Sequence, residues 1–321
     1  MNKKVLFVSR LFFPSIGGVE NHVLNLSKEL TKRNYSIQIL TTKNSNKLSN
    51  SDYINKILIR RIEYPNMKYL GLLYIWGWVL FNFQYFKSFD VIHCHDVIIW
   101  LLPLKIFYPK NKIYLTFHGY ENYPLKLSSK YMHKIAEYLS DGIISVGKYI
   151  QKWYKTRTDL ITYGAIDPTL LNKKASLIKN KYLFLGALNN INSVTKYLNP
   201  GVKNKIIFVG DGENRISCSY YGQVIGFVNN PYKYISKSEI IFTGGYLSIL
   251  EAIAMDKPVY AIYDNPLKKD YLMMTPFAKY IRIGKKFDKY LKYKYPKELK
   301  EWIKKQTWEK MAQDYIKLWN K

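Results

Sequence analysis

The feature that most constrains this chain is an arrangement it uses twice: a short apolar run, a pair of glycines, then an amphipathic helix. The first copy runs from Lys4–Ser9 (KVLFVS) through a loop ending in Gly17 and Gly18. A helix is expected next, from about Val19 to Arg33, with Val19, Val23, Leu26 and Leu30 on one face. The second copy runs from Glu239–Phe242 through Gly244 and Gly245 into a helix expected near Leu247. Leu247, Leu250 and Ala254 share a face, Pro258 stops the helix, and Val259–Tyr263 reads as the next strand. Apolar runs of strand length read as strands buried on both faces. Their alternation with helices implies a parallel sheet covered by helices, an α/β fold.

Ligands of such sheets bind where strands end and loops begin. Helix-start amides lack intrahelical acceptors and attract phosphate. Gly244, Gly245, Tyr246, Leu247 and Ser248 therefore form one candidate phosphate site, and Gly17 with Gly18 a second. Glu251, one turn into the second helix, could reach a sugar hydroxyl beside that phosphate. A plainer role is also open: Ser248-x-x-Glu251 has capping-box spacing and could satisfy its own helix start. Neither turn spells the G-x-G-x-x-G dinucleotide fingerprint, which argues against a dehydrogenase.

Further strands are expected at Tyr35–Thr41, Ile57–Ile62, Val91–His93, Ile113–Phe117 and Gly142–Val146, with a short one near Leu160. The pattern then restarts at Lys181–Gly186, Lys205–Gly210 and Gln223–Gly226, giving two domains, 1–165 and 166–321. Phe208-Val209-Gly210-Asp211-Gly212 is a strand running into a tight turn, which puts Gly210 among the nucleotide-site candidates. Three of the five histidines fall at strand ends: His93, His95 and His118. His118 precedes Gly119, which permits close approach of a ligand. His93-Cys94-His95-Asp96 could bind a metal, but strand alternation sends Cys94 away from the two histidines, so no metal is expected.

Lys and Arg number 50 against 23 acidic residues, a net charge of +27, and tyrosines number 30. That balance favours anionic partners, whether nucleotide phosphates, an acidic membrane face or nucleic acid. No nucleic-acid-binding motif is present, so that class is not expected. Two cysteines cannot form a disulfide framework and fit a reducing compartment, as in a cytoplasmic protein, or simple core use. The first residues lack the pattern of a signal peptide. Tyr69–Phe86 carries no charge, yet its Asn82, Gln84 and many aromatics favour a helix packed on the sheet with rings at a membrane interface over a span. The basic, aromatic tail from Lys285 reads as one or two amphipathic helices.

The order of motifs resembles the GT-B glycosyltransferases of the retaining, GT4-like group (glycosyl transferases group 1). The matching pieces are Phe13–Glu20, Asp90–Asp96, Leu115–Gly119, Ile144–Lys148, Phe208–Gly212 and Ile249–Val259. The resemblance implies two Rossmann-like domains facing across a cleft, with a C-terminal helix crossing back to the first. It implies a metal-independent hexosyltransferase with no cofactor beyond a nucleotide diphosphate sugar as donor. The acceptor would be a hydroxyl of a glycan, lipid or glycoprotein, met by a cytoplasmic protein peripheral on an anionic membrane. Glu251 would bind the ribose, the amides of Tyr246–Ser248 the diphosphate, Gly17 and Gly18 would approach the phosphates, and His118 would line the sugar pocket. Asp96 and Glu20 would lie towards the acceptor.

Three departures accompany the resemblance. Thr243 stands where the family has the first glutamate of a Glu-x7-Glu pair, which contacts the donor sugar. The stretch Gly186–Ser193 lacks the family's Arg and Lys that neutralise the leaving diphosphate, and the segment after it is short. Tyr163-Gly164 replaces the usual Asn-Gly. Either Lys196, Arg215 or Lys148 is expected to replace the missing charge, or the helix-start amides carry more of it. A non-catalytic GT-B scaffold that binds without transfer is the alternative.

Overall fold

The computed structural model describes residues 3–63, 70–121, 123–172, 180–228, 230–287 and 294–321. The chain divides into two compact units: unit 1 is Met1–Val146, Ile150–Thr162 and Ala312–Lys321, and unit 2 is Gly147–Tyr149 and Tyr163–Met311.

Unit 1 is built on eight strands: β1 (Lys4–Ser9), β2 (Ser36–Lys43), β3 (Ser51–Ile54), β4 (Ile57–Glu63), β5 (Val91–His95), β6 (Ile113–Phe117), β7 (Gly142–Val146) and β8 (Leu160–Thr162). Their order in the sheet is β3-β4-β2-β1-β5-β6-β7-β8. All neighbours run parallel except β3 and β4. Val5, Leu6, Phe7 and Val8 are inaccessible on both faces of β1, as the unbroken apolar run requires. The helix Gly18–Lys32 buries Val23, Leu26 and Leu30. Each such side chain contributes about 1.5–3 kcal/mol by leaving water.

β3 was not expected. Its residues are mostly exposed, so it lacks an apolar signal, and a hairpin creates it. Asn55 and Lys56 both hold positive φ, at 49° and 67°, the twist a two-residue hairpin turn needs. The uncharged segment forms two helices, Leu70–Phe81 and Phe83–Lys87, while Tyr69 lies outside the described residues. The first helix buries Gly71, Ile75 and Val79 and leaves Leu70, Leu73, Tyr74 and Phe81 exposed on the other side. Among the described residues no helix is long and apolar enough to cross a membrane.

Unit 2 is a six-stranded parallel sheet of β9 (Asn180–Leu185), β10 (Ile206–Val209), β11 (Gly222–Gly226), β12 (Ser238–Phe242), β13 (Val259–Ile262) and β14 (Arg282–Gly284). The order is β11-β10-β9-β12-β13-β14. Two 3₁₀ turns, Val194–Tyr197 and Pro200–Val202, are the helical elements between β9 and β10, which agrees with the shortness read there. Tyr197 is fully buried and ties the sheet top together. Its hydroxyl accepts from the Ile262 amide at 2.7 Å and lies within 3.4 Å of the Thr243 carbonyl. The tail forms the helices Lys297–Lys305 and Trp308–Trp319, which bury Leu299, Ile303, Met311, Tyr315, Leu318 and Trp319; residues 288–293 of that tail lie outside the described ones.

Candidate functional site

Chemistry gathers at one place in each unit. In unit 2 it is the turn after β12. Phe242 is the last strand residue, and the helix that follows is Tyr246–Ala254 with Gly245 as its N-cap. Its N-cap, being glycine, offers no side-chain cap. The capping-box alternative therefore fails: the helix begins two residues before Ser248, and Glu251 sits in its interior. No described residue hydrogen-bonds the Glu251 carboxyl. Loss of solvent around it raises the carboxyl to about 8, so at neutral pH it is largely protonated and can donate as well as accept.

The amides at this start divide into used and unused ones. Gly245 N–H reaches the Thr243 hydroxyl at 3.4 Å, a long bond, and Tyr246 N–H donates to the Tyr271 hydroxyl at 3.2 Å. The amides of Leu247 and Ser248 have no acceptor among the described residues. The Gly244 carbonyl, which Ser248 would otherwise use, accepts instead from Lys268 Nζ at 2.7 Å. Lys268 is 1% exposed, and its ammonium also lies 4.3 Å from the centre of the Tyr271 ring. Burial lowers this amine to about 7, while Asp264 acts in the opposite direction. Sequence reading missed Lys268. The Asn265-Pro266 helix start was a usable sign of its helix, since Asn265 caps it by accepting from Lys268 N–H at 2.8 Å, but nothing in the sequence shows where the amine points.

Other expected residues of unit 2 play different parts. Thr243 is fully buried with its hydroxyl on the turn. Gly210 has φ of 149°, and a side chain there would strike the Gly186 carbonyl, so its glycine is accounted for by packing. Around Gly186, where the resemblance would place two cations, the loop closes on itself: Asn192 donates to the Ala187 carbonyl at 3.0 Å, and the Asn189 side chain accepts from Asn192 N–H at 3.0 Å. Of the three expected replacements, Arg215 is paired with Asp211 at 2.7 Å, and Lys196 and Lys148 are exposed.

In unit 1 the centre is a cluster of histidines. His93 and His95 lie on β5, His118 follows β6, and His22 comes from the helix after Gly17–Gly18. Trp319 Nε1 donates to His93 Nδ1 at 3.0 Å. An indole only donates, so His93 carries its proton on Nε2 and gives it to Thr116 Oγ1 at 2.8 Å. Thr116 and Tyr315 hydroxyls are 2.8 Å apart, and Tyr315 is 2.9 Å from His22 Nε2. Every proton is used if the chain runs Trp319, His93, Thr116, Tyr315, His22. His95 Nδ1 and His118 Nε2 are 2.8 Å apart, and His95 Nε2 is buried without a partner. Burial lowers all four imidazoles, His22 to about 3, so they are neutral at physiological pH.

His22, His95 and His118 bring ligand atoms within 4.8 Å of one another, the one described group able to hold a metal. That geometry joins His95 of the His93-Cys94-His95-Asp96 run to His22 and His118, which lie outside it, while Cys94 of the run is a free, buried thiol. His22 was also missed, although it falls in step with Leu26 and Leu30 on the inner helix face. Asp96 follows β5 with φ of 65° and accepts from His118 N–H at 2.9 Å. Surrounding protein raises its carboxyl to about 7, with Glu121 and Glu20 adding to the effect. At the glycine turn, Gly18 has open space where a side chain would stand, and only the flexible Glu20 carboxylate occupies the corresponding space at Gly17. Neither glycine is demanded by φ or by the core.

Comparison with known proteins fits this picture. Sucrose-phosphate synthase from Thermosynechococcus elongatus has the same fold, with a TM-score of 0.68 at 13% identity over 99% of this chain and 98% of that one. Anabaena HepE, solved in complex with UDP and glucose, gives 0.62 at 16% identity over 98% and 94%. The fold is that of the GT-B glycosyltransferases. Residues 16–161 match the model of Glycosyltransferase Family 4, the GT4-like group that the motifs resemble. An uncharacterized glycosyltransferase of Methanocaldococcus jannaschii is 29% identical over 197 residues, 57% of this chain and 52% of the relative, so the match spans about half of that relative's length.

Proposed function

We propose that this protein is a glycosyltransferase that moves a sugar from a nucleotide diphosphate sugar to a hydroxyl acceptor with retention at the anomeric carbon and without a metal. The observation that carries the donor assignment is the turn of unit 2: two free amides, at Leu247 and Ser248, with the Lys268 ammonium behind them and the Glu251 carboxyl alongside. Free amides and a cation suit a diphosphate, and a carboxyl one turn away suits the ribose hydroxyls. HepE's complexes with UDP and UDP-glucose support a donor of this class.

Lys268 takes the electrostatic part of the missing Arg and Lys. Departure of the diphosphate builds negative charge, and one positioned donor is worth about 3 kcal/mol of such stabilisation. Thr243 supports the turn through Gly245. Gly17, Gly18 and His118 are the unit 1 residues assigned to the donor; His118, neutral and held by Asp96 and His95, supports the sugar as positive charge develops at its anomeric carbon. Asp96 and Glu20 serve the acceptor, a glycan, lipid or glycoprotein presented at an anionic membrane where the protein is peripheral. The Asn-rich loop at Gly186 favours the second reading, a scaffold that binds the donor without transferring it.

A thermal-shift screen of UDP-, GDP- and ADP-sugars tests the donor. One of them should raise the unfolding temperature, and Glu251→Ala should abolish the shift. No shift with any of them removes the reading, and a shift without donor hydrolysis or transfer selects the scaffold.

A further inference from the structure

The helix start in unit 2 carries one contact that packing does not account for. The amide of Tyr246, the first residue of the helix Tyr246–Ala254, donates to the hydroxyl of Tyr271 at 3.2 Å, across 25 residues of sequence. Tyr271 lies on the helix Pro266–Met273, three residues after Lys268, so the two side chains share a face. The Tyr246 hydroxyl in turn donates to the Tyr271 carbonyl at 2.5 Å. The two rings stack, with centres 4.0 Å apart and planes 15° from parallel. The Lys268 ammonium sits 4.3 Å from the centre of the Tyr271 ring. One residue therefore touches both groups that suit an anion, the helix-start amides and the cation.

The ring of Tyr271 is explained by the fold. It covers Tyr246, which is 4% exposed, and it faces Lys268. A phenylalanine would do both. The hydroxyl is not explained in this way. Tyr271, Leu247 and Ser248 are all half-buried, so water reaches this end of the helix and can satisfy its amides without a phenol. The hydroxyl stands at the same helix start as the Leu247 and Ser248 amides, which have no acceptor among the described residues. A phenol oxygen that accepts from an amide keeps its own O–H to give, and the incoming bond polarises that O–H towards a stronger donor.

We propose that Tyr271 is a binding residue for the diphosphate of the donor, its O–H adding a third hydrogen bond to those of the Leu247 and Ser248 amides. The inference rests on the donor reading above and names a further residue of that site. The Tyr246 amide is then not lost to the anion: its donation passes through the phenol.

Tyr271→Phe keeps the ring and removes the O–H. Calorimetric titration of the full chain with UDP, GDP and ADP, and competition by uridine, guanosine and adenosine, read the result. Affinity for the diphosphate that the wild type binds is expected to fall about tenfold or more, as for one hydrogen bond to a charged group. Affinity for the matching nucleoside, which carries no phosphate, is expected to hold, as is the unfolding temperature without ligand. A variant that binds the diphosphate as tightly as the wild type overturns the proposal and leaves the donor reading standing. A fall shared equally by the nucleoside overturns it too, because a residue that only shapes the turn would weaken both. A wild type that binds none of the three diphosphates removes the donor reading itself, and this inference with it.

Discussion

The two glycine turns make an instructive pair. Gly17–Gly18 and Gly244–Gly245 both follow a buried strand and open a helix, and both lack a side-chain cap. Their surroundings differ in charge. Behind Gly244–Gly245 stands the buried Lys268 amine, about half ionised at neutral pH, whereas Gly17 has the Glu20 carboxylate beside it and neutral histidines follow on the same helix and its neighbours. Helix-start amides alone do not decide what a turn binds. On the proposed reading the groups around them do: a buried amine beside the turn of unit 2, and a carboxylate with neutral histidines beside that of unit 1.

The largest effect that can sharpen this contrast is a pH response from unit 1. His22, His93 and His95 are neutral when folded and ionise when unfolded, so the unfolded chain binds more protons below about 6.5. Stability contributed by these groups is therefore intact above that pH and is lost as pH falls towards the folded values, by roughly 1.4 kcal/mol per pH unit for each histidine. Glu251 and Asp96, raised to about 8 and about 7, gain stability over the same range, so urea unfolding at pH 7.5, 6 and 5 is read with Glu251→Gln and Asp96→Asn in place; a midpoint there that does not fall on acidification would mean that the cluster is not buried and neutral.

Next comes Lys268→Met. Nucleotide diphosphate affinity is expected to fall about 10- to 100-fold, while the unfolding temperature without ligand does not fall, because a buried amine costs stability. Calorimetric titration with UDP alongside a thermal melt reads both. Unchanged affinity would erase the electrostatic distinction between the turns. Tyr315→Phe is expected to cost about 1–3 kcal/mol in stability, since it strands both Thr116 and His22 Nε2. Wild-type stability of that variant would break the proton chain drawn through unit 1. The smallest effect is Gly18→Ala, within about 0.5 kcal/mol in stability because the space is open, with transfer reduced. A variant that keeps full activity would show that no ligand approaches that backbone.

Much of this was legible in the residues. The apolar runs of β1, β6 and β7 gave strands at the residues read, because a strand buried on both faces keeps a nearly continuous apolar run. β3 and β14 went unread for the opposite reason, being short edges with exposed residues. Both glycine turns and the strand-end histidines were visible as local patterns. Lys268, His22, Tyr315 and Trp319 were not, because their roles come from side chains brought together over long separations: Tyr315 and His22 are 293 residues apart. The capping-box pattern at Ser248 misled because the spacing was right while the helix began two residues earlier.

The return of Ala312–Lys321 into unit 1 has a consequence for how the chain is made. Tyr315 and Trp319 close the hydrogen-bonded bundle around His22, His93 and Thr116. During synthesis the region translated first must wait with that bundle open until all of unit 2 has been added. An incomplete nucleus of neutral imidazoles and apolar rings is then exposed to the ribosome surface and to chaperones for the whole interval. Slow elongation late in the message should therefore endanger the earliest-made part of this protein more than the latest.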